Sequence, residues 1–133
     1  MLKGVYVLII QVDDDTDMDV GAIGKLTFPK GLYAYVGSAQ NNLEKRVKRH
    51  LRKGKRRFWH VDYLLGNDAA KVVEVFQRQG DKTEECAIAK TIGERGKPMD
   101  SFGSSDCSCK SHLFRIEDCR FLRESMQVLD LKT

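Results

Sequence analysis

Two charged side chains stand where amphipathic helices should be apolar. Between about Asn42 and about Lys53, Leu43, Val47, His50 and Leu51 recur at the three-and-four spacing of a buried stripe. Arg46 sits on the edge of that stripe, one turn before His50, while Lys45, Lys48, Arg49 and Arg52 fall on the opposite face. A second stripe, Glu85, Ile88, Ala89 and Ile92, begins with a carboxylate. Such a group must be paired, protonated or bound to metal, since burying it alone costs several kcal/mol. Two readings follow. Arg46 lays its stem over the core with its head in solvent, and Glu85 forms a structural bridge, Arg46 itself being one partner within reach. Alternatively, both point at a site, the arginine leaning inward toward the sheet and the carboxylate bound to metal.

The charge distribution bears on that choice. The 133-residue chain has a formal charge of +4. Lys45, Arg46, Lys48, Arg49, Arg52, Lys53, Lys55, Arg56 and Arg57 crowd one segment with no acid among them, and 4 − 9 leaves −5 for the rest. Clustering of this kind favours a polyanion at one face; a solubilising helix is the other reading. The apolar run Val5 to Ile10 is far too short to span a membrane and lacks a small-residue cleavage site, so the expectation is a soluble cytoplasmic protein without a membrane partner. Its four cysteines are too few for a disulfide scaffold and are expected as thiols.

The elements that must position these residues are legible. "GVYVLIIQ" at Gly4 to Gln11 reads as a central strand covered on both faces. The acidic run after it reads as a solvated hairpin tip, and "GAIGKLTF" as an edge strand ending at Pro29; Met18 and Gly24 break the resemblance of Asp13, Asp15 and Asp17 to a calcium loop. Leu32 to Val36 forms another strand, with Tyr33 and Tyr35 on one face, which Gly37 and Ser38 break. The basic helix follows, capped by Asn41 or Asn42 and stopped by Gly54. "RRFWHVDYLLG" suggests a short helix, with His60 and Asp62 forming a structural hydrogen-bond pair and Phe58 and Trp59 serving either the core or base stacking. "KVVEVFQ" is a third strand, Asp81 opens a helix to about Glu94 with Glu84 completing a capping box, and "HLFRIEDCRFLRE" supplies terminal strands or a strand and a turn. One domain, residues 1–133, accommodates them all.

The triplets "GVY" at Gly4 to Tyr6 and "YVG" at Tyr35 to Gly37 lie on strands whose pairing brings both phenols near Arg46. With Arg46, His50 and Glu85 in that order, the chain resembles the GIY-YIG nuclease superfamily. The segments "FPKGLYAYVGSA", "RVKRHLR", "FWHVDYLL", "ECAIAK" and "FGSSDCSCKSHLF" look like its archaeal and bacterial URI-type endonuclease branch. The resemblance implies an α+β fold, a small central antiparallel sheet of about three core strands plus edge strands, flanked by helices. It also implies a metal-dependent endonuclease that hydrolyses DNA phosphodiester bonds in repair or processing. Glu85 would hold one Mg or Mn ion. Tyr6 would orient or deprotonate the attacking water, which requires basic surroundings to lower a phenol that titrates near pH ~10. Arg46 would bind the non-bridging oxygens, and Tyr35 and His50 would position the phosphate or relay a proton. Gly37 and Ser38 would form the floor. Lys45, Lys48, Arg49 and Arg52, with the tail Lys53, Lys55, Arg56 and Arg57, would follow the flanking phosphates of DNA, RNA being the other polynucleotide such a surface fits. By analogy a DNA-repair protein is a partner.

Two alternatives remain. A catalytically silent nucleic-acid-binding module would keep the basic helix and use Glu85 only in an ion pair. Cys107, Cys109 and His112, with Cys86, form a short-spaced cluster for zinc, a disulfide or buried thiols, and His60 is a further candidate for the site. An enzyme needs Tyr6, Tyr35, Arg46 and Glu85 to converge on one open cleft.

Overall fold

The computed structural model describes residues 4–21, 24–39, 42–52, 60–99 and 112–129. In chain order these form β1 (Gly4–Val12), β2 (Thr16–Val20), β3 (Gly24–Phe28), β4 (Gly31–Ala39), α1 (Leu43–Leu51), α2 (His60–Leu65), β5 (Ala70–Gln79), α3 (Lys82–Gly93), β6 (Lys97–Pro98), β7 (Leu113–Ile116), a 3₁₀ turn (Arg120–Glu124) and β8 (Gln127–Val128). Because β1 is apolar at both alternating sets of positions, it needs cover on both faces, and it runs through the middle of a six-stranded antiparallel sheet of order β6-β7-β4-β1-β5-β8. The fold is therefore α+β, three long strands at the centre and short ones at the edges.

The two faces of the sheet hold separate cores. Tyr6, Leu8, Ile10, Tyr33 and Tyr35 pack with Leu43 and Val47 of α1 and Val61 and Leu64 of α2. Val5, Val7, Ile9, Ala34 and Val36 pack with Ile88, Ala89 and Ile92 of α3 and Leu122 of the 3₁₀ turn. Gly4, where β1 begins, faces Ala39 at the end of β4 and Gln79 at the end of β5. Both α1, which follows β4, and α3, which follows β5, consequently start at this same end of the sheet.

Several sequence expectations change. Gly37 and Ser38 do not break β4, which stays paired with β1 as far as Ala39; a missing side chain weakens a strand only where nothing fills its place, and here a neighbour fills it. The acidic segment is not all loop. Thr16 to Val20 pairs with β3 in a separate two-stranded ribbon, where Asp17 and Asp19 point to solvent while Val20 and Phe28 reach the core. Asp81 caps α3 by accepting from the Thr83 amide at 3.0 Å, but Glu84 pairs with Arg78 of β5 rather than completing a capping box. Helix α1 starts at the Asn42 cap and ends at Leu51. Its buried stripe closes at His50, leaving Leu51 37% exposed, because Arg46 and Leu51 flank the centre of that stripe by roughly 60 to 70° on either side.

The two leucines at the ends of α1 should differ accordingly. Leu43→Ala removes a side chain with no exposed surface and should cost about 2–5 kcal/mol, whereas Leu51→Ala should stay within about 0.5 kcal/mol. Urea midpoints at unchanged slope measure both; equal losses would mean that the buried stripe runs the full length of the helix.

Candidate active site

The site is built on a phenol that occupies the place of a missing side chain. Tyr6 lies directly opposite Gly37 in the β1–β4 register. A Cβ added at Gly37 would stand 2.4 Å from the Tyr6 hydroxyl oxygen. Only glycine lets this ring cross β4. Beyond the strand, the hydroxyl meets His50 Nε2 at 2.8 Å. Tyr35, two residues before Gly37 and on the same face, packs edge-on against the same imidazole, with ring centroids 6.0 Å apart. One helical turn before His50, Arg46 donates from Nη1 to the Ser38 carbonyl at 3.3 Å, and its positive charge works to lower the titration of the Tyr6 phenol.

Behind His50 lies Asp62, on α2 and 1% exposed. Arg49 grips it with two hydrogen bonds, Nη1 to Oδ1 and Nη2 to Oδ2, each 3.1 Å. His50 Nδ1 is 4.0 Å from Asp62 Oδ1. This corrects the placement of Arg49, which was expected on the outer face with Lys45, Lys48 and Arg52. Those three are exposed; Arg49 turns to α2 because a buried carboxylate needs a counter-charge and a bidentate guanidinium supplies it best. The expected partner of Asp62 was His60, whose side chain lies outside the described residues, as do Lys53, Lys55, Arg56, Arg57, Phe58, Trp59, Cys107 and Cys109.

Glu85 opens the buried stripe of α3, on the other face of the sheet. Its Oε2 is 2.9 Å from His112 Nδ1, both side chains being nearly enclosed. His112 precedes β7, and its carbonyl accepts from the Val36 amide at 2.8 Å, next to Gly37. So His112, grouped by sequence with Cys107 and Cys109, meets Glu85. The carboxylate is close enough to raise the titration of both phenols. The sequence-named residues therefore gather at one end of the sheet but do not line an open cleft. Tyr6, Tyr35 and Glu85 are 2%, 6% and 7% exposed; partly exposed Arg46 and Ser38 form the accessible side.

Burial pushes the Tyr6 phenol well above its ordinary value of 10.0, Arg46 pulls it back only in part, and the charges of Glu85 and Asp62 add to the rise. Tyr35 is raised in the same way, by burial first and then by Tyr6, Glu85 and Asp62. The lowering that a general-base role for Tyr6 requires comes here from Arg46, and burial of the phenolate outweighs it.

Over residues 5–131 the chain matches the family described as "Domain of unknown function DUF123". It belongs to the DUF123 family. That family has a GIY-YIG-like fold, and comparisons with curated proteins and with solved structures give no match. Within this DUF123 domain, the described residues contain no cluster of three or more His, Cys, Asp or Glu side chains able to hold a metal. A hard Mg or Mn ion takes carboxylate oxygen, which Glu85 would have to offer from an enclosed position where its Oε2 already meets His112.

Two measurements probe the DUF123 site directly. Gly37→Ala should displace Tyr6 from His50 and cost about 1–3 kcal/mol in overpacking, seen as a lower urea midpoint; an unchanged midpoint would mean that the ring does not occupy that space. The second concerns pH. A phenol with a raised folded-state pKa keeps its proton while the unfolded chain loses it, so its contribution is complete below pH ~10 and disappears as pH climbs through the folded value. For Tyr33, whose hydroxyl donates to the Pro29 carbonyl at 2.6 Å and is pushed up to about 12, the window runs from 10.0 to about 12; for Tyr6 and Tyr35 it runs higher. Stability should fall by about 1.4 kcal/mol per pH unit for each such phenol. In absorbance titrations, Tyr6→Phe should remove none of the phenolate signal that the folded protein gains near pH ~10.

Proposed function

We propose that this chain is a divalent-metal-dependent endonuclease that hydrolyses DNA phosphodiester bonds, akin to the URI-type branch of GIY-YIG nucleases. The observation that carries the reading is one shared phenol: the Tyr6 hydroxyl bonds His50 and feels the charge of Arg46 at the end of the sheet where Glu85 also lies. A non-bridging phosphate oxygen docking on the partly exposed Arg46 would replace its bond to the Ser38 carbonyl and gain strength as charge develops in the transition state. Water held at the Tyr6 oxygen would pass a proton to the phenol while the phenol passes its own to His50 Nε2. That concerted transfer never forms a free phenolate, which suits a phenol held far above neutrality. Tyr35, packed on the imidazole, fixes its plane. A Mg or Mn ion on Glu85 would supply the remaining counter-charge for the phosphate. Lys45, Lys48 and Arg52 stand exposed on the outer face of the same helix, where flanking phosphates would run. A place in DNA repair is the biological context that fits such an activity.

The competing reading, a silent nucleic-acid-binding module, uses the same cations but leaves the Tyr6–His50 contact without purpose. Cleavage of supercoiled plasmid and of branched and single-stranded oligonucleotides, with Mg or Mn and with chelator, separates the two. Arg46→Ala should lose the ~2.7–4 kcal/mol typical of a charge-stabilising donor, on the order of a hundredfold in rate, and Glu85→Gln should abolish metal-dependent cutting. Binding by both variants should persist, with log affinity falling against log salt at a slope near −4.5 if about five phosphates are neutralised. Uncut substrate with wild type and variants alike, at that same slope, would establish the binding module instead.

A further inference from the structure

The residues behind His50 have no task in the proposed phosphate contact, yet they are among the most enclosed charges of the described chain. Asp62 is 1% exposed and His50 2% exposed. The carboxylate is held on both oxygens by Arg49, and Oδ1 faces His50 Nδ1 at 4.0 Å. On the opposite side of the ring, Nε2 faces the Tyr6 hydroxyl at 2.8 Å. The hydrogen-bond direction along this chain can be worked out from donor inventories. The Arg46 guanidinium can only donate, and its positive charge acts on the Tyr6 oxygen. The single hydroxyl proton is thereby directed to the His50 side, where a bare Nε2 would receive it. A neutral imidazole with a bare Nε2 carries its proton on Nδ1, the nitrogen turned to Asp62.

We infer that Asp62, locked in place by Arg49, is a positioning residue that holds the His50 proton on Nδ1 and so keeps Nε2 ready to take the proton of Tyr6. The inference deepens the nuclease reading and rests on it for its kinetic consequence, though the tautomer itself is a property of the free protein. Geometry gives Arg49 the matching task. Two parallel bonds fix the carboxylate plane, so Oδ1 stays 4.0 Å from Nδ1, a buried atom with no hydrogen bond of its own among the described residues, and acts on it through charge rather than through a bond; the guanidinium supplies the counter-charge that lets Asp62 stay ionised in an enclosed site. With Nε2 protonated instead, His50 would donate to the Tyr6 oxygen and could not relieve the phenol of its proton.

The test reads the His50 ring directly. Long-range proton–nitrogen NMR spectra of the ¹⁵N-labelled full chain at neutral pH should show wild-type His50 protonated on Nδ1 and bare on Nε2. Asp62→Asn, which keeps the shape but removes the charge, should transfer part of the population to the Nε2–H tautomer. In plasmid cleavage the same variant should lower kcat on the order of 100-fold, the lower end of what positioned acid–base groups contribute, with KM unchanged because no phosphate contact is touched. Should Asp62→Asn fail to fold, Arg49→Lys keeps both charges and replaces the two-point grip with one ammonium; it should give a smaller tautomer shift and a smaller loss of kcat. A wild-type His50 protonated on Nε2, or a folded variant with unaltered tautomer, overturns the inference. The spectra need no substrate. Absence of cleavage by wild type would therefore strike the nuclease reading alone, and the tautomer would still decide the role of Asp62.

Discussion

Register between β1 and β4 is the constraint on which the rest depends. Side chains alternate along a strand, so a slip of one residue would move Tyr6 off Gly37 and send it to the opposite face. The register is held by nine paired positions, Gly4 opposite Ala39 through Val12 opposite Gly31. It is specified by hydrophobic side chains that must face two different cores at once. What sets the fold thus also sets the site: the strands that bury Leu8 and Ile10 deliver the Tyr6 hydroxyl across the one position where no Cβ obstructs it. Neither function nor packing can shift without the other.

The polar groups around this phenol are arranged by topology. Helices α1 and α3 lie on opposite faces of the sheet, so His50, in the last turn of α1, meets the Tyr6 hydroxyl on one side while the Glu85 charge, in the first turn of α3, acts on it from the other. Each then requires its own support. Enclosed ionisable groups lose hydration that a partner only partly restores, and the structure meets this by pairing Asp62 with Arg49 and Glu85 with His112. These pairs are poor sources of stability compared with apolar side chains of the same size. Their value lies in orientation: Arg49 fixes the plane of the Asp62 carboxylate beside His50, and His112 meets the Glu85 carboxylate.

Sequence patterns exposed the strands and the inward-facing residues well, because hydrophobic periodicity is a local property. The run "GVYVLIIQ" could only be central, and Glu85 and Arg46 stood out against apolar stripes. Contacts made across the fold were less legible. Gly37 resembled a strand breaker because the ring that fills its place comes from Tyr6, thirty-one residues earlier in sequence. His112 suggested a zinc set because its nearest cysteines are close in sequence, whereas its partner is Glu85 on another element. Arg49 looked solvated because helical geometry places it away from the stripe, and no periodicity reveals a buried aspartate on a neighbouring helix. A signal was nonetheless present. Asp62 lies on an otherwise apolar helix face, "VDYLL", and a charge there needs a partner of the kind that a basic helix provides.

Correcting Arg49 also divides the polar residues of α1 into an outward and an inward set. Lys45, Lys48 and Arg52 remain at the surface, while Arg46, Arg49 and His50 turn successively inward to Tyr6, Asp62 and the sheet. A helix meant only to attract phosphate gains nothing from directing three of its polar residues into low-dielectric surroundings, where each loses hydration. A surface of lysines would bind as well. Directing them inward makes sense when a proton must travel along a fixed line, since the interior strengthens and orients every hydrogen bond it encloses. A buried phenol needs a hydrogen-bond partner for folding alone, and the imidazole provides it; the proposed reaction would put the same contact to a second use.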